Sequence, residues 1–301
     1  MKLLSKLAAA ALFTLCAFSA HAGEIAHAMG VTTVPDAPKR IVVLTNEGTE
    51  ALLALGITPV GAVNSWTGDP WYPHIAEQMA EVTPVGKESA VNLELVAALQ
   101  PDLILGNKTR QEAIYPQLSA IAPTVFSERL RGDWRVNFKL YAEAVGQAKQ
   151  GEDILAAFDA EIAALREKLG ARTDERVSIV RILAGQIRIY QKDSFSGFIL
   201  DQIGFNRPPN QDVNEFALRV GKESIPDMEG DRLIYFTYDT GDGEGEKATE
   251  EVLNDPLWQS LDVVKAGKVH AVDDVIWNTG GGILAARLML KDIARIYGVA
   301  E

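Results

Sequence analysis

Six cations stand where this chain would place contacts to an anion. Lys108 and Arg110 directly follow the apolar run Leu103-Ile104-Leu105-Gly106, and Arg129 and Arg131 directly follow Thr124-Val125-Phe126. Arg181 lies inside Val177 to Leu183, and Arg188 lies in the next run, Ile187 to Tyr190. In open α/β sheets ligands gather where strands end and loops begin. The first four cations therefore share one rim, and the last two can reach it from across a cleft. Arginine suits carboxylates and other oxyanions because its planar fork makes paired, charge-assisted hydrogen bonds and keeps its charge. Each of the six is also compatible with an ordinary solvated position. Arg181 is the sharpest case, since a charge in an apolar strand must find a partner, which an internal salt bridge would equally supply. Aromatic residues could line the same cleft. Trp66, Trp71 and Tyr72 share a loop, while Tyr238 and Trp277 follow strand-like runs. Trp71 and Trp258 are assigned to the core, Tyr238 and Trp277 to the cleft wall.

Reaction chemistry finds little support. The sequence has no Gly-x-Ser-x-Gly elbow, no His-Glu-x-x-His pair and no phosphate-binding loop. Cys16 is the sole cysteine, and His27, His74 and His270 occur in unrelated contexts without metal-site spacing. The acidic loop Asp239 to Glu246 places Gly241 and Gly243 where a calcium loop needs carboxylates, so a solvated loop is expected. No catalytic residue, cofactor or protein-held metal is assigned, although an enzyme acting on an anionic substrate stays open as an alternative.

The first residues read as an address. Lys2 and Lys6 precede an apolar run from Leu7 to Phe18, and Ala20-His21-Ala22 carries small residues where a signal peptidase reads. Cleavage after Ala22 and release into the periplasm are expected. Leu15, before Cys16, is larger than a lipoprotein signal favours. Cleavage would leave about 279 of the 301 residues, without cysteine, and would take the formal charge from −12 to −14 through loss of Lys2 and Lys6. So acidic a chain is a poor general binder of nucleic acid, and any anion it holds must meet a local cluster of cations.

The elements that must position these residues alternate. Arg40 to Leu44, Thr58 to Val63, Pro101 to Gly106 and Thr124 to Phe126 read as strands, with helices from about Gly48 to Leu55, Asn92 to Leu99 and Arg110 to Ile121. From Gly151 to Leu169, Ile154, Phe158, Ile162, Leu165 and Leu169 recur at helical spacing, and Gly170 ends the helix. Strands at Val177 to Leu183, Ile187 to Tyr190, Leu233 to Thr237 and Val269 to Val272 follow, with helices near Phe195 to Ile203 and Leu284 to Tyr297. This predicts an α/β protein with two Rossmann-like lobes, residues 23–147 and 171–301, whose parallel central sheets are joined by one long helix over 148–170. Periodicity alone equally allows a surface helix within one large domain.

A resemblance selects between the two. Pro38 to Leu44, Glu50 to Gly61 and Asn92-Leu93-Glu94 through Leu99 to Ile104 are similar, in that order, to the N-terminal lobe of the metal-chelate and cobalamin binding proteins. Asp255-Pro256-Leu257-Trp258 and Gly267-Lys268-Val269 extend the likeness over nearly all the chain. Gly106 to Glu112, Ser127 to Trp134, Ile187 to Gly197 and Ile276 to Gly282 most resemble the ferric dicitrate and citrate-hydroxamate receptors within that family. The resemblance implies two lobes on a single rigid helix, with an anionic ferric chelate in the cleft and all iron coordination left to the chelator. It implies a monomer that delivers its ligand to an inner-membrane ABC permease. Lys108, Arg110, Arg129, Arg131, Arg181 and Arg188 become the ligand cations, with Tyr238 and Trp277 beside them. Glu112 becomes a docking acid for the permease, and Glu244, Glu246, Glu250 and Glu251 are candidates for its counterpart on the second lobe. Haem or cobalamin is the alternative within the family, and haem would call for a His or Tyr ligand.

Overall fold

The computed structural model describes residues 23–130 and 132–299. The leader with its cleavage site, Arg131 and the last two residues lie outside the described residues.

The chain begins on a hairpin, β1 (Gly23–His27) and β2 (Gly30–Val34). Ile41–Val43, apolar throughout, then forms β3, buried at every position as the strands of a covered parallel sheet are. Thr45 ends it and caps α1 (Asn46–Ala54), its hydroxyl accepting from the Gly48 amide. Next come β4 (Gly61–Ala62), β5 (Thr83–Pro84), the small hairpin β6 (Gly86–Lys87) and β7 (Ala90–Val91), and α2 (Leu93–Ala98), capped by Asn92. The unit closes with β8 (Leu103–Asn107), α3 (Lys108–Gln111), α4 (Tyr115–Ile121), β9 (Thr124–Ser127) and α5 (Trp134–Ala144). Its sheet runs β5-β4-β3-β8-β9, every pair parallel. Chain order reverses between β3 and β8, so the segments leaving these two strands diverge and open a crevice at their carboxyl ends.

Helix α6 (Ala148–Leu169) leads to the second unit. It buries Leu155, Phe158, Ile162, Leu165 and Leu169, and the Trp134 ring meets Phe158 edge-on at 5.6 Å. Then follow β10 (Val177–Leu183), β11 (Gln186–Tyr190), α7 (Phe195–Ile203), β12 (Ala217–Val220), β13 (Arg232–Tyr238), α8 (Glu244–Leu253), α9 (Pro256–Ser260), α10 (Asp262–Lys265), β14 (Val269–Ala271) and α11 (Ile283–Tyr297). The sheet order is β12-β11-β10-β13-β14. Its centre, β10 with β13 and β14, is parallel, whereas β11 and β12 are added antiparallel. The reason is local: β10 and β11 are joined only by Ala184-Gly185, and Gly185 takes φ of 69°, the left-handed conformation that tight hairpins need.

One hydrophobic cluster runs through both units, drawing on β3, β8, α5, α6, β10 and α11. The units also meet where α1 faces α11. Glu50, fully buried, accepts from the Ala285 amide at 2.8 Å and from His74 Nε2 at 2.7 Å. A Cβ on Gly282 would lie 2.7 Å from that of Glu50, so glycine is what lets the two units approach so closely. The acidic loop after β13 folds around Asp239, whose carboxylate accepts from the amides of Gly241, Gly243, Gly245 and Glu246. It is a helix-capping turn leading into α8. Among the described residues no helix is long and apolar enough to cross a membrane.

Candidate ligand-binding cleft

A cavity of about 340 Å³ lies between the two units, at the carboxyl ends of the first sheet and over one face of the second. Its first wall is built from segments leaving β3, β4 and β8. Arg110, on α3, sets its guanidinium 5.3 Å over the Trp66 ring and its Nε 3.3 Å from Glu88 Oε2. Glu88 turns between β6 and β7, and its other oxygen accepts from the Asn46 amide at 2.8 Å and from Asn46 Nδ2 at 2.9 Å. Gln111 ties these parts together, donating to the carbonyls of Leu44 and Glu88 and accepting from the Asn107 amide. Burial pushes the Glu88 carboxyl above its usual range, against the pull of Asn46 and Arg110. Glu47, second in α1, completes this wall.

The second wall is the cleft-facing side of β10 and β11. Arg181 and Arg188 are direct partners in the antiparallel ladder, and Leu183 and Tyr190 lie two residues on along the same face. Arg181 is 5% exposed and holds Asp274 through two parallel bonds of 2.5 and 2.9 Å, while the Tyr238 ring lies 4.4 Å from its guanidinium. Arg188 has a neutral partner, Gln186, at 3.0 Å. Across the next rung Arg188 faces Arg219 of edge strand β12. Three arginines thus form a row over three strands, with Cβ atoms about 5 Å apart, a spacing at which like charges repel. Asp274 relieves one of them. The Tyr190 hydroxyl is buried beside Arg181 and Arg188, and makes no hydrogen bond of good geometry among the described residues. Phe195, Phe216 and Leu130 supply apolar lining, and Asn278 to Gly281 form the rim.

Of the residues singled out in sequence, Arg110, Arg181, Arg188 and Tyr238 line this cavity together. Lys108 and Arg129 do not. Lys108 pairs with Glu128 at 3.1 Å, and Arg129 reaches across to Asp193 of the second unit at 2.9 Å. Arg131 lies outside the described residues. Trp277 is a correction: it is fully buried, and its indole donates to Asp292 on α11 at 3.0 Å. It sits in a single wide turn, Val275–Thr279, that presents Asn278 and Thr279 to the cleft and directs Trp277 into the core beneath α11. Trp71 and Trp258 are core residues. Glu112 is exposed in the turn after α3, and Glu244, Glu246, Glu250 and Glu251 are exposed on α8. Glu47, Glu88 and Tyr190 are cleft groups that the sequence reading passed over, as is Arg219 at the neighbouring sheet edge. The first two could have been found by applying the strand-end rule to acids as well as cations.

A larger hollow, about 770 Å³, opens between α6 and α11; half of its lining residues are leucine and alanine, and its Arg287 is engaged by Glu161. No strand end reaches it, so the charged cleft is the functional candidate. Among the described residues no cluster of His, Cys, Asp and Glu could hold a metal ion.

Comparison with known proteins agrees with this geometry. The family model described as periplasmic binding protein matches residues 41–275. The chain belongs to the periplasmic binding protein family. Among its relatives, the probable siderophore-binding lipoprotein YfiY of Bacillus subtilis is 52% identical over 282 residues, covering 91% of this chain and 87% of that protein. The achromobactin-binding periplasmic protein of Dickeya dadantii is 34% identical, over 87% and 88% of the two chains. The crystal structure of Staphylococcus aureus SirA complexed with staphyloferrin B superposes with a TM-score of 0.86 at 33% identity, covering 92% of this chain and 99% of that one. These relatives are binding proteins, not enzymes, and the two-unit α/β architecture is the family's.

Proposed function

We propose that this protein captures an anionic ferric chelate, of the ferric citrate or citrate-hydroxamate type, in the periplasm and hands it to an inner-membrane ABC permease for iron uptake. The observation that carries the reading is the paired Arg181 and Arg188, of which, among the described residues, only Arg181 has a carboxylate partner. A cleft that opposes guanidinium groups without neutralising them is strained until an anion enters. A ferric citrate complex offers outward carboxylate and alkoxide oxygens that arginine forks match in pairs. The chelator keeps the iron's coordination positions. In support, His27, His74 and His270 are engaged by Thr32, Glu50 and Arg232, and none lines the cavity. The relatives named for siderophores, achromobactin and staphyloferrin B support the ferric-chelate class.

The remaining expectations join this reading. Processing after Ala22 yields a periplasmic monomer. Glu112 and one of the acids on α8 meet basic residues of the permease, a contact that governs association and its salt dependence more than chelate affinity. Trp66, stacked on Arg110 at the cleft, is a built-in reporter. Titration by tryptophan fluorescence should give saturable quenching with ferric citrate or a ferric citrate-hydroxamate. A response to haem or cobalamin with none to any ferric chelate would overturn the reading.

A further inference from the structure

Glu47 is an acid in a place built for anions. It is 7% exposed and lines the cleft from the first turn of α1. Its Oε1 is buried without a hydrogen-bond partner among the described residues. A carboxylate oxygen buried at a cleft wall without a partner is costly, whereas a carboxylic acid there is an O–H donor that needs only an acceptor. The groups around it decide between the two forms. Glu50 lies near it on its own helix, Glu88 on the β6–β7 turn, and Asp133 and the Tyr141 phenol on the segment of α5; Asn137 of α5 is also beside it. The cations of the cleft are Arg110, Arg181 and Arg188, and the first two already hold Glu88 and Asp274. Burial raises Glu47 well above the carboxylate range; Asn137 opposes the shift, and Glu88, Glu50 and Asp133 add to it. Its place in the first helical turn favours the charged form, but that effect is weak beside the loss of hydration.

We infer that Glu47 is a hydrogen-bond donor of the binding site, presenting a carboxylic O–H to an anionic oxygen of the bound chelate across from Arg188. The inference rests on the anionic-chelate reading above. A neutral Glu47 leaves Arg188 uncompensated, so the cleft keeps a net positive charge; an ionised one would cancel it. It also sets specificity, because a ligand presenting an ammonium group at this point would meet a neutral acid instead of a carboxylate.

The test is a titration with ferric citrate from pH 5.5 to 8.5 of the wild type, Glu47→Gln and Glu47→Ala. Comparing variants at each pH cancels the chelate's own speciation. A hydrogen bond to an anion favours the protonated acid, so Glu47 titrates higher in the complex than in the free protein. At pH 5.5 Glu47→Gln, still a donor, should match the wild type within about twofold, and Glu47→Ala should bind about tenfold more weakly. As pH rises, wild-type affinity relative to Glu47→Gln should hold level while the acid stays protonated and then fall, by about tenfold per pH unit, once the free acid ionises. Wild-type affinity rising with pH relative to Glu47→Gln would overturn the inference, since it would mean an ionised Glu47 meeting a cationic group. So would Glu47→Ala binding as tightly as the wild type. Should Glu47→Ala fail to fold, the wild type and Glu47→Gln still decide by their pH ratio. Failure of the wild type itself to bind ferric citrate would instead count against the ligand reading on which the inference stands.

Discussion

The two walls of the cleft carry the same residue type to different ends. On the first wall Arg110 is matched by Glu88, itself fixed by Asn46, and is stacked on Trp66. On the second, Arg181, Arg188 and Arg219 stand in a row across β10, β11 and β12 with Asp274 neutralising one of them. A cation on a short helical turn can swing toward a partner, and Arg110 has done so. Cations on neighbouring strands cannot move apart, because the ladder fixes their spacing. In the proposed function the first wall would supply a preorganised contact, and the second the unmet charge that draws in an anion.

Truncation separates the walls. Arg188→Ala removes a charged contact and leaves only the neutral Gln186 without its partner, so ferric citrate affinity should fall about 100-fold, with thermal stability level or higher, since a like-charge repulsion also goes. Arg110→Ala frees Glu88 as a buried acid, which can take up a proton instead of repelling the ligand, and the loss should be nearer tenfold. Equal losses at both positions would erase the distinction between the walls. Arg219, exposed at the sheet edge, should matter least for affinity: Arg219→Ala should weaken binding about threefold at low salt and not at all at 0.5 M salt, as a screened charge does. A salt-independent loss would instead make Arg219 a direct contact.

How much of this was legible depends on what each residue answers to. The α/β alternation, the long helix ending at Gly170 and the cations after strands are local patterns, so the positions of Arg110, Arg181 and Arg188 follow from strand boundaries alone. Trp277 answers to a partner fifteen residues on, Asp292 of α11, and to a wide turn that rotates it inward; strand-end logic has no access to either. Lys108 and Arg129 obey the same strand-end rule as Arg110, yet acids in reach, Glu128 and Asp193, decide their direction. Arg219 was invisible because Ala217–Val220 has no strong strand pattern, and its meaning comes from register with Arg188. Glu47 and Glu88 were passed over because acids in an acidic protein read as solvated surface, whereas contacts distant in sequence enclose them: Asn46 and Arg110 hold Glu88, and Glu47 lies among Glu88, Asp133 and Asn137.

The most direct test of the whole account is the position of iron in a crystal of the protein grown with ferric citrate, located by its anomalous scattering. The account predicts one iron site in the cleft between Arg110 and the Arg181–Arg188 pair, with citrate oxygens facing the guanidinium groups and no protein atom within bonding distance of the metal. Iron ligated by a protein side chain, or a chelate seated in the hollow between α6 and α11, would contradict it.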